Sequence, residues 1–316
     1  MSNKETIKNR EEILFIYDAT FCNPNGDPLD ENKPRIDIES RKNLVTDVRL
    51  KRTIRDYLFN FEGFNGGDKG DILIREIRTD KDTVKDMKTR AKDFGKNKEE
   101  ITKNILEKCI DVRLFGATIS LDNDSITFTG PVQFGMGMSL NKTEIVEIGH
   151  SFVMAGKSAE AKQGSLASEY VVPYSLIVFH GVINENAAKS TKLAEDDITY
   201  LDKGMWNGTK NLITRSKSGQ VPRLLIRVEY KEGNFHIGEL QHYLNLNTED
   251  EDKIRSTRDY SIDVTDLVNI LSENKDKIEK IHYLADNNLQ LESNEQKGTF
   301  EDFFGKTGIA LEKIKI

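Results

Sequence analysis

The sequence predicts an α+β fold, organised as one elaborated domain over residues 1–316. Three observations lead to this prediction: short apolar runs alternate with amphipathic helical segments, two polar insertions interrupt that order, and no internal repeat occurs. A chain of 316 residues can bury a sizeable core without disulfides or metals. Its 37% hydrophobic and 31% charged residues are typical of a globular protein with a hydrated surface.

The N-terminal third predicts a strand, a long loop, a basic helix and a second strand. Ile13–Asp18 is an apolar run typical of a buried strand, and the turn-rich residues 21–40 follow it. From Asn43 a helix is predicted, and 71–78 alternates like a strand. The apolar face of this helix, with a period of 3.6, consists of Leu50, Ile54, Tyr57, Leu58 and Phe61.

The rest of the chain predicts a sheet with helices mostly on one side. A charged insertion spans 80–120, helical over 80–108, and an arm poor in apolar residues spans 141–170. The further predicted strands are 125–140, Val171–Ile183 and Arg223–Tyr230, and the further predicted helices are 194–215 and 264–284. This order is compatible with a ferredoxin-like or RRM-like core.

Charge is distributed unevenly along the chain. The formal net charge is −7, and residues 249–316 contribute −6 of it, with 16 acidic and 10 basic side chains. Residues 33–55 hold eight basic and three acidic side chains, a local net charge of +5. Such a patch can neutralise phosphates on an acidic protein, because salt screens distant charges. The alternative is an ordinary solvated helix face.

Several chemical classes are excluded by missing patterns. The two cysteines, Cys22 and Cys109, are far apart and form no CxxC pair, which excludes a disulfide framework or a zinc ribbon. Nucleotide-binding P-loop, HExxH and GxSxG motifs are absent, and the five histidines are scattered. We therefore expect no cofactor and no metal. The polar N-terminus and the lack of a long apolar run predict a cytoplasmic protein without a membrane partner.

The loop after the first strand contains the segment NPNGDP at 23–28. Asn, Gly and Asp favour tight turns, and successive turns can direct several main-chain N–H groups at one anion. The alternative is a purely structural turn. The basic helix that follows favours phosphate binding, because Lys42, Lys51 and Arg52 could hold phosphates that the loop surrounds.

Several segments in collinear order over about residues 11–185 identify a family. They are NPNGDP (23–28), KPRID (33–37), LVTDV (44–48), LKR (50–52) with Ile54-Arg55, DVRLFGA (111–117), GPVQF (130–134) and VPY (172–174). Together they strongly resemble the backbone subunit of type I CRISPR Cascade complexes. More narrowly, they resemble the DevR-type branch of the Cas seven family, as found in subtypes I-B and I-C, and of these two the resemblance favours I-B.

The resemblance implies an RRM-like palm, a helical finger insertion at 80–120 and a β-hairpin thumb at 141–170, with the acidic part 249–316 packed on the palm. It implies a non-catalytic subunit whose copies stack along the CRISPR RNA, while each thumb kinks the guide. The guide pairs with the target DNA strand and supplies the sequence specificity. The implied partners are CRISPR RNA, target DNA through the guide, other copies of the chain and other Cascade subunits.

The predicted RNA-binding residues fall into two groups. Those of the palm are Asn23, Asn25, Gly26, Arg35, Arg41, Lys42, Arg49, Lys51, Arg52 and Gln133. Those of the thumb are Phe152, Met154, Lys157, Lys162 and Gln163, which would touch unstacked bases. The chain departs from the family pattern at Arg41, where glycine is frequent, and at Glu169, where a basic residue is frequent.

Two other functions are weighed against this one. Similar backbone subunits of type III complexes cut RNA with an aspartate in the first loop, so Asp27 or Asp37 could serve a metal-dependent ribonuclease. The structural alternative is that Asp27 closes an Asx turn and Asp37 pairs with Arg35 or a neighbour. A transcription regulator is disfavoured, because no helix-turn-helix pair is evident.

Overall fold

The computed structural model of the protein describes residues 5–79, 82–122, 124–151 and 166–316. In chain order the strands are β1 (Glu11–Cys22), β2 (Gly26–Asp27), β3 (Lys33–Pro34), β4 (Ile36–Asp37), β5 (Lys42–Val45), β6 (Gly116–Ser120), β7 (Ser125–Thr129), β8 (Val132–Phe134), β9 (Gly137–Lys142), β10 (Val146–Ser151), β11 (Leu166–Ile183), β12 (Gln220–Tyr230), β13 (Asn245–Asn247), β14 (Ser261–Asp263), β15 (Ile278–Ala285), β16 (Leu291–Ser293), β17 (Gln296–Gly298) and β18 (Ala310–Lys313). The helices are α1 (Asp47–Asn60), α2 (Met87–Ala91), α3 (Lys98–Lys108), α4 (Ile110–Phe115), α5 (Glu185–Thr191), α6 (Glu195–Lys210), α7 (Thr265–Glu273) and α8 (Phe300–Phe304).

The largest sheet has the order β18-β15-β12-β1-β11-β9-β5-β4, and β8 and β10 also pair with β11. Its central strand β1 runs antiparallel to both neighbours, and Glu11 lies opposite Ile183 on β11 and Glu229 on β12. Both neighbours satisfy the main-chain groups of β1, so this strand can be buried along most of its length. The predicted mixed α+β arrangement is confirmed in outline.

Apolar side chains cover both faces of the sheet, which explains why β1 is a continuous apolar run. Phe15 and Tyr17 point into a core shared with α1 and α6, whereas Leu14 and Ile16 belong to a second core. That second core is completed by residues of the C-terminal region, among them Leu267, Leu271, Phe300 and Phe304. The face opposite α1 and α6 is therefore occupied by the chain's own C-terminal part.

The basic helix begins later than its periodicity predicts. Residues Lys42–Val45 form β5, and α1 begins at Asp47 after Thr46, whose hydroxyl caps the helix by accepting from the Arg49 main-chain N–H. Asn43 is held in the sheet because its N–H donates to Ser139 Oγ at 2.9 Å. Phe61 lies beyond the last helical residue and is 61% exposed, so its assignment to the buried face is wrong.

Two other sequence-based assignments are wrong. Residues 71–78 form no strand, because the buried carboxylate of Asp111 accepts from the main-chain N–H groups of Leu73 (2.8 Å) and Ile74 (3.1 Å) in place of a neighbouring strand. The helix expected over 264–284 ends at Glu273, and its second half is β15. This segment becomes a strand because β12 and β18 supply main-chain partners on both sides.

The segment 125–140 forms three strands, β7, β8 and β9, rather than one. Two glycines allow the main chain around β7 to approach the end of α4 closely. Gly116 has a φ of 71°, and a Cβ there would collide with the carbonyl of Phe128. A Cβ at Gly130 would collide with the carbonyl group of Phe115. These two glycines let β7 pass close to the end of α4, so the DVRLFGA and GPVQF segments meet in space.

The predicted insertion 80–120 contributes Phe94, Ile101 and Ile105 to a separate small core, which Leu73 and Ile126 from outside this range complete. Its described part is helical over α2 and α3, as predicted. Within the ranges given above, no helix has the length and apolar character needed to cross a membrane.

Candidate nucleic-acid interface

Two half-buried cationic side chains, Arg49 and Lys217, lie near one another close to the end of β1, and we call their surroundings the recess. Arg49 lies in the first turn of α1, and Lys217 lies in the loop between α6 and β12. Burial lowers the pKa of the Arg49 guanidinium. Burial and the nearby charge of Arg49 lower the pKa of Lys217 to about 8. Within the described part of the chain, neither side chain forms an ion pair with a carboxylate, although the charge of Asp56 also acts on the Arg49 guanidinium.

Main-chain hydrogen bonds hold Lys217 in this position. Its Nζ donates to the carbonyl of Asn23 at 2.5 Å. The loop that carries it is joined to the end of β1 on both sides, by Thr20 N–H to Gly219 O (3.0 Å) and by Asn23 N–H to Ser216 O (2.8 Å). Two desolvated cations that form no ion pair among the described residues favour binding of an anion, since an anion would offset the cost of burying them together.

The side chains of the NPNGDP loop are engaged in contacts with nearby residues of the chain. Asn23 Nδ2 donates to the Asn32 carbonyl at 2.6 Å, and Asn25 Oδ1 accepts from Thr46 Oγ1 at 3.1 Å. A Cβ at Gly26 would collide with Asn32. Of these residues, Asn23 meets Lys217 through its carbonyl group, and Gly26 is needed for internal packing whether or not RNA approaches it.

The two aspartates considered as catalytic residues are engaged in local contacts. Asp27 accepts from the Leu29 N–H at 3.0 Å, which is the expected Asx turn, and from Arg35 Nη1 at 2.7 Å. Asp37 accepts from the main-chain N–H and hydroxyl of Ser40, and these bonds lower the pKa of its carboxyl group. Arg35 thus pairs with Asp27 and not with Asp37. Among the described side chains, no cluster of three His, Cys, Asp or Glu is arranged to hold a metal.

Most of the other predicted cations already have partners. Lys51 Nζ donates to Asp47 Oδ2 and to Gln133 Oε1, both at 3.0 Å, so two predicted site residues do meet. Arg52 lies on the exposed side of α1 and pairs with Asp56 at 2.7 Å. These paired cations differ from Arg49, which forms no ion pair with a carboxylate among the residues that the structure describes.

Arg41 lies between β4 and β5, at one edge of the large sheet. It has a φ of 58°, and its Nη2 pairs with Asp252 of the acidic C-terminal part at 2.7 Å. Lys42 is half-buried on β5 and lies opposite Lys142 of β9. This end of the sheet is a second basic surface, and the chain's own acidic segment covers part of it.

The predicted thumb residues Phe152, Met154, Lys157, Lys162 and Gln163 lie outside the described residues. The base of that hairpin is described, and β10 runs antiparallel to the start of β11. Glu169 accepts from Arg215 at 3.3 Å and lies 3.0 Å from the ring nitrogen of His150. The acidic residue at position 169 therefore ties the hairpin to the loop that carries Lys217.

Two motif residues that the sequence left without a role prove to be structural. Asp111 is fully buried and accepts from Arg55 Nε at 3.0 Å. Arg113 forms two 2.8 Å bonds to Asp197 in the first turn of α6. Lys217, in contrast, was missed, because a single lysine in a Ser/Gly-rich loop carries no local signal of burial.

Comparisons with known proteins agree with this fold. The family model described as "CRISPR-associated protein Cas7" matches residues 9–265. A Haloferax volcanii protein named "CRISPR-associated protein Cas7" is 35% identical over 324 residues, which cover 95% of this chain and 93% of the relative.

Two solved structures show the same fold at low identity. A chain of a "CRISPR RNA-guided surveillance complex, pre-nicking" superposes with a TM-score of 0.56 and 12% identity over 96% of each chain. A chain of a "CRISPR RNA-guided surveillance complex" superposes with a TM-score of 0.53 and 13% identity, covering 94% of this chain and 97% of that chain. The resemblance carried by the sequence motifs is thereby confirmed, and the chain belongs to the family of CRISPR-associated protein Cas7.

Proposed function

We propose that this chain is a non-catalytic backbone subunit of a type I CRISPR surveillance complex, of subtype I-B, and that it binds the CRISPR RNA through its sugar–phosphate backbone. The observation that carries the proposal is the recess with Arg49 and Lys217, two desolvated cations without a carboxylate partner in the described structure. Contacts to phosphate do not depend on base identity, and a guide-binding subunit must accept any guide sequence.

The position of the recess supports this function. In RRM domains RNA lies across the open face of the sheet. Here one face of the sheet is packed against α1 and α6, and the other is covered by C-terminal residues of the second core. An RNA strand must therefore pass the loops at the ends of the strands, where the recess lies. Within this proposal the sheet with α1 and α6 is an RRM-like palm, and 249–316 is packed on it.

The two insertions complete the proposed architecture. Residues 80–120 would form the finger and 141–170 the thumb, whose base is β10 and the start of β11. Two loops next to the recess contact this base: Arg215 pairs with Glu169, and Tyr170 OH donates to Glu31 Oε2 at 3.2 Å. A guide held at the recess would thus lie close to the thumb. The proposed partners are CRISPR RNA, target DNA paired with it, further copies of the chain and other Cascade subunits.

Expression of the chain alone tests the proposal. We expect it to co-purify with heterogeneous RNA or to form filaments on added RNA, because phosphate contacts are sequence-independent and a head-to-tail interface that does not close grows helically. Nuclease digestion should leave protected fragments whose lengths are multiples of one repeat. The double variant Arg49→Gln, Lys217→Met should remain folded and lose most of its RNA. An RNA-free monomer that ignores added guide would contradict the proposal.

A nuclease assay distinguishes the proposed non-catalytic function from that of a metal-dependent ribonuclease. The assembled complex is incubated with complementary RNA and either Mg²⁺ or Mn²⁺. We expect intact RNA, because Asp27 is held by Arg35 and Asp37 by Ser40. Cleavage that Asp27→Asn or Asp37→Asn abolishes would assign a catalytic role to that aspartate.

A further inference from the structure

Phe21, near the end of β1, combines two unusual properties. Its side chain is 56% exposed, and its φ is 45°, in the left-handed region. A single exposed apolar side chain is ordinary on a protein surface. A bulky residue in the left-handed region is not, because its Cβ is crowded by the main chain. Strain of this kind is concentrated at functional sites.

The conformation of Phe21 reverses the alternation of the strand. Phe15, Tyr17 and Ala19 occupy odd positions of β1 and belong to the core shared with α1 and α6. Regular alternation would place residue 21 in the same core. Instead Cys22 is fully buried there, while the aromatic ring is at the surface. The fold thus buries the smaller side chain and exposes the larger one.

Phe21 lies beside the recess with Arg49 and Lys217. Its neighbours Thr20 and Cys22 pair with Tyr174 and Val172, so Pro173 flanks Phe21 on one side. On the other side the loop of Lys217 is bonded to Thr20 and Asn23. Lys217 Nζ donates to the carbonyl of Asn23, which is close to Phe21 in sequence.

We propose that Phe21 is a stacking platform for one unstacked base of the nucleic acid whose phosphate lies between Arg49 and Lys217. This inference rests on the proposed function and adds a base contact outside the thumb. Stacking on an aromatic ring tolerates every base, so the contact is compatible with any guide sequence. The strain at Phe21 keeps the ring at the surface before RNA arrives.

The test uses the full-length protein and a hexanucleotide of uridines with one central 2-aminopurine, whose fluorescence changes on stacking. We expect Phe21→Ala to weaken binding roughly 5- to 150-fold, the range seen for a lost base–aromatic stack, and to abolish the fluorescence change. Phe21→Tyr should retain both. The slope of log K against log salt should be unchanged in Phe21→Ala, since no phosphate contact is lost.

Phe61→Ala is the matched control, because Phe61 is 61% exposed at the opposite end of α1. It should bind like the unmodified protein. If Arg49→Gln and Lys217→Met weaken binding but Phe21→Ala behaves like Phe61→Ala, the stacking role is wrong and the phosphate recess stands. If Arg49→Gln and Lys217→Met leave binding unchanged, the proposed function itself fails.

Two further measurements, thermal unfolding and sedimentation, test whether Phe21 serves only the fold or only contacts another copy of the protein. Phe21→Gly should bind as weakly as Phe21→Ala and unfold at a higher temperature than Phe21→Ala, because glycine adopts a φ of 45° without strain. Lower stability of Phe21→Gly would contradict the strain argument. A variant that loses self-association in sedimentation experiments but keeps its affinity for the hexanucleotide would assign Phe21 to an interface between copies and overturn the proposal.

Discussion

Lys217 Nζ donates a 2.5 Å hydrogen bond to the main-chain carbonyl of Asn23 and thereby joins the loop before β12 to the turn-rich loop after β1. The Lys217 ammonium group donates this bond and keeps its positive charge, because a main-chain carbonyl group carries no net charge. Arg49 lies close enough for its charge to lower the pKa of Lys217. The recess is therefore already assembled in the free chain and needs only an anion to balance its charge.

RNA affinity should fall as the pH rises through about 8, the lowered pKa of Lys217. Below that pH the ammonium is charged and attracts phosphate, and above it the neutral amine does not. We expect a loss of about tenfold between pH 7 and 9, because a hydrogen bond to a charged group contributes about 1.5 kcal/mol. Fluorescence anisotropy with a short RNA measures this effect.

Two variants serve as controls for the pH experiment. Lys217→Arg stays charged over the whole range and should bind independently of pH. Lys217→Met should bind weakly at every pH. A pH dependence that persists in Lys217→Met would have to come from another group.

The salt dependence of binding should identify the residues that contact phosphate. Arg49→Gln and Lys217→Met should each reduce the slope of log K against log salt by roughly 0.7 on single-stranded RNA. Arg52→Gln, on the same helix as Arg49, should change it little if Asp56 already neutralises Arg52. The sequence alone predicts a reduced slope for Lys51 and Arg52, so a large effect in Lys51→Ala, Arg52→Ala would favour that earlier assignment.

The acidic segment near residue 252 should compete with RNA for Arg41. Asp252 accepts from Arg41 at 2.7 Å, and both side chains are about half exposed. Asp252→Asn should raise RNA affinity by up to about fivefold at low salt, because exposed ion pairs contribute at most about 1 kcal/mol. Glu249→Gln changes the net charge equally without touching Arg41 and should have a smaller effect. Equal gains in both variants would indicate a general charge effect instead.

Replacing Asp111 should destabilise the protein strongly. Its buried carboxylate holds Arg55 and the N–H groups of Leu73 and Ile74. Asp111→Ala leaves these groups unpaired and should reduce the free energy of unfolding by about 3–5 kcal/mol, as seen when one partner of a buried ion pair is removed. Urea denaturation measures this change. Asp56→Ala, which breaks an exposed pair on the same helix, should cost only about 0.5 kcal/mol.

Local patterns predicted the elements whose residues interact mainly with their neighbours. The apolar run around Phe15, the face of α1 apart from Phe61, and the helix predicted over 194–215 all appear as expected. Predictions failed where distant partners decide the conformation. Residues 278–285 form a strand because β12 and β18 flank them, and 71–78 is fixed by Asp111.

The sequence by itself determined the family, the order of most elements and the basic character of the region around α1. The tertiary structure alone decided which of these cations form no ion pair with the described part of the chain. Lys51 and Arg52 are paired by Asp47 and Asp56, whereas Arg49 meets Lys217 from a distant loop. The physical reason is that the free energy of a charge depends on its solvation and on the groups around it, and these are set by contacts between distant parts of the chain.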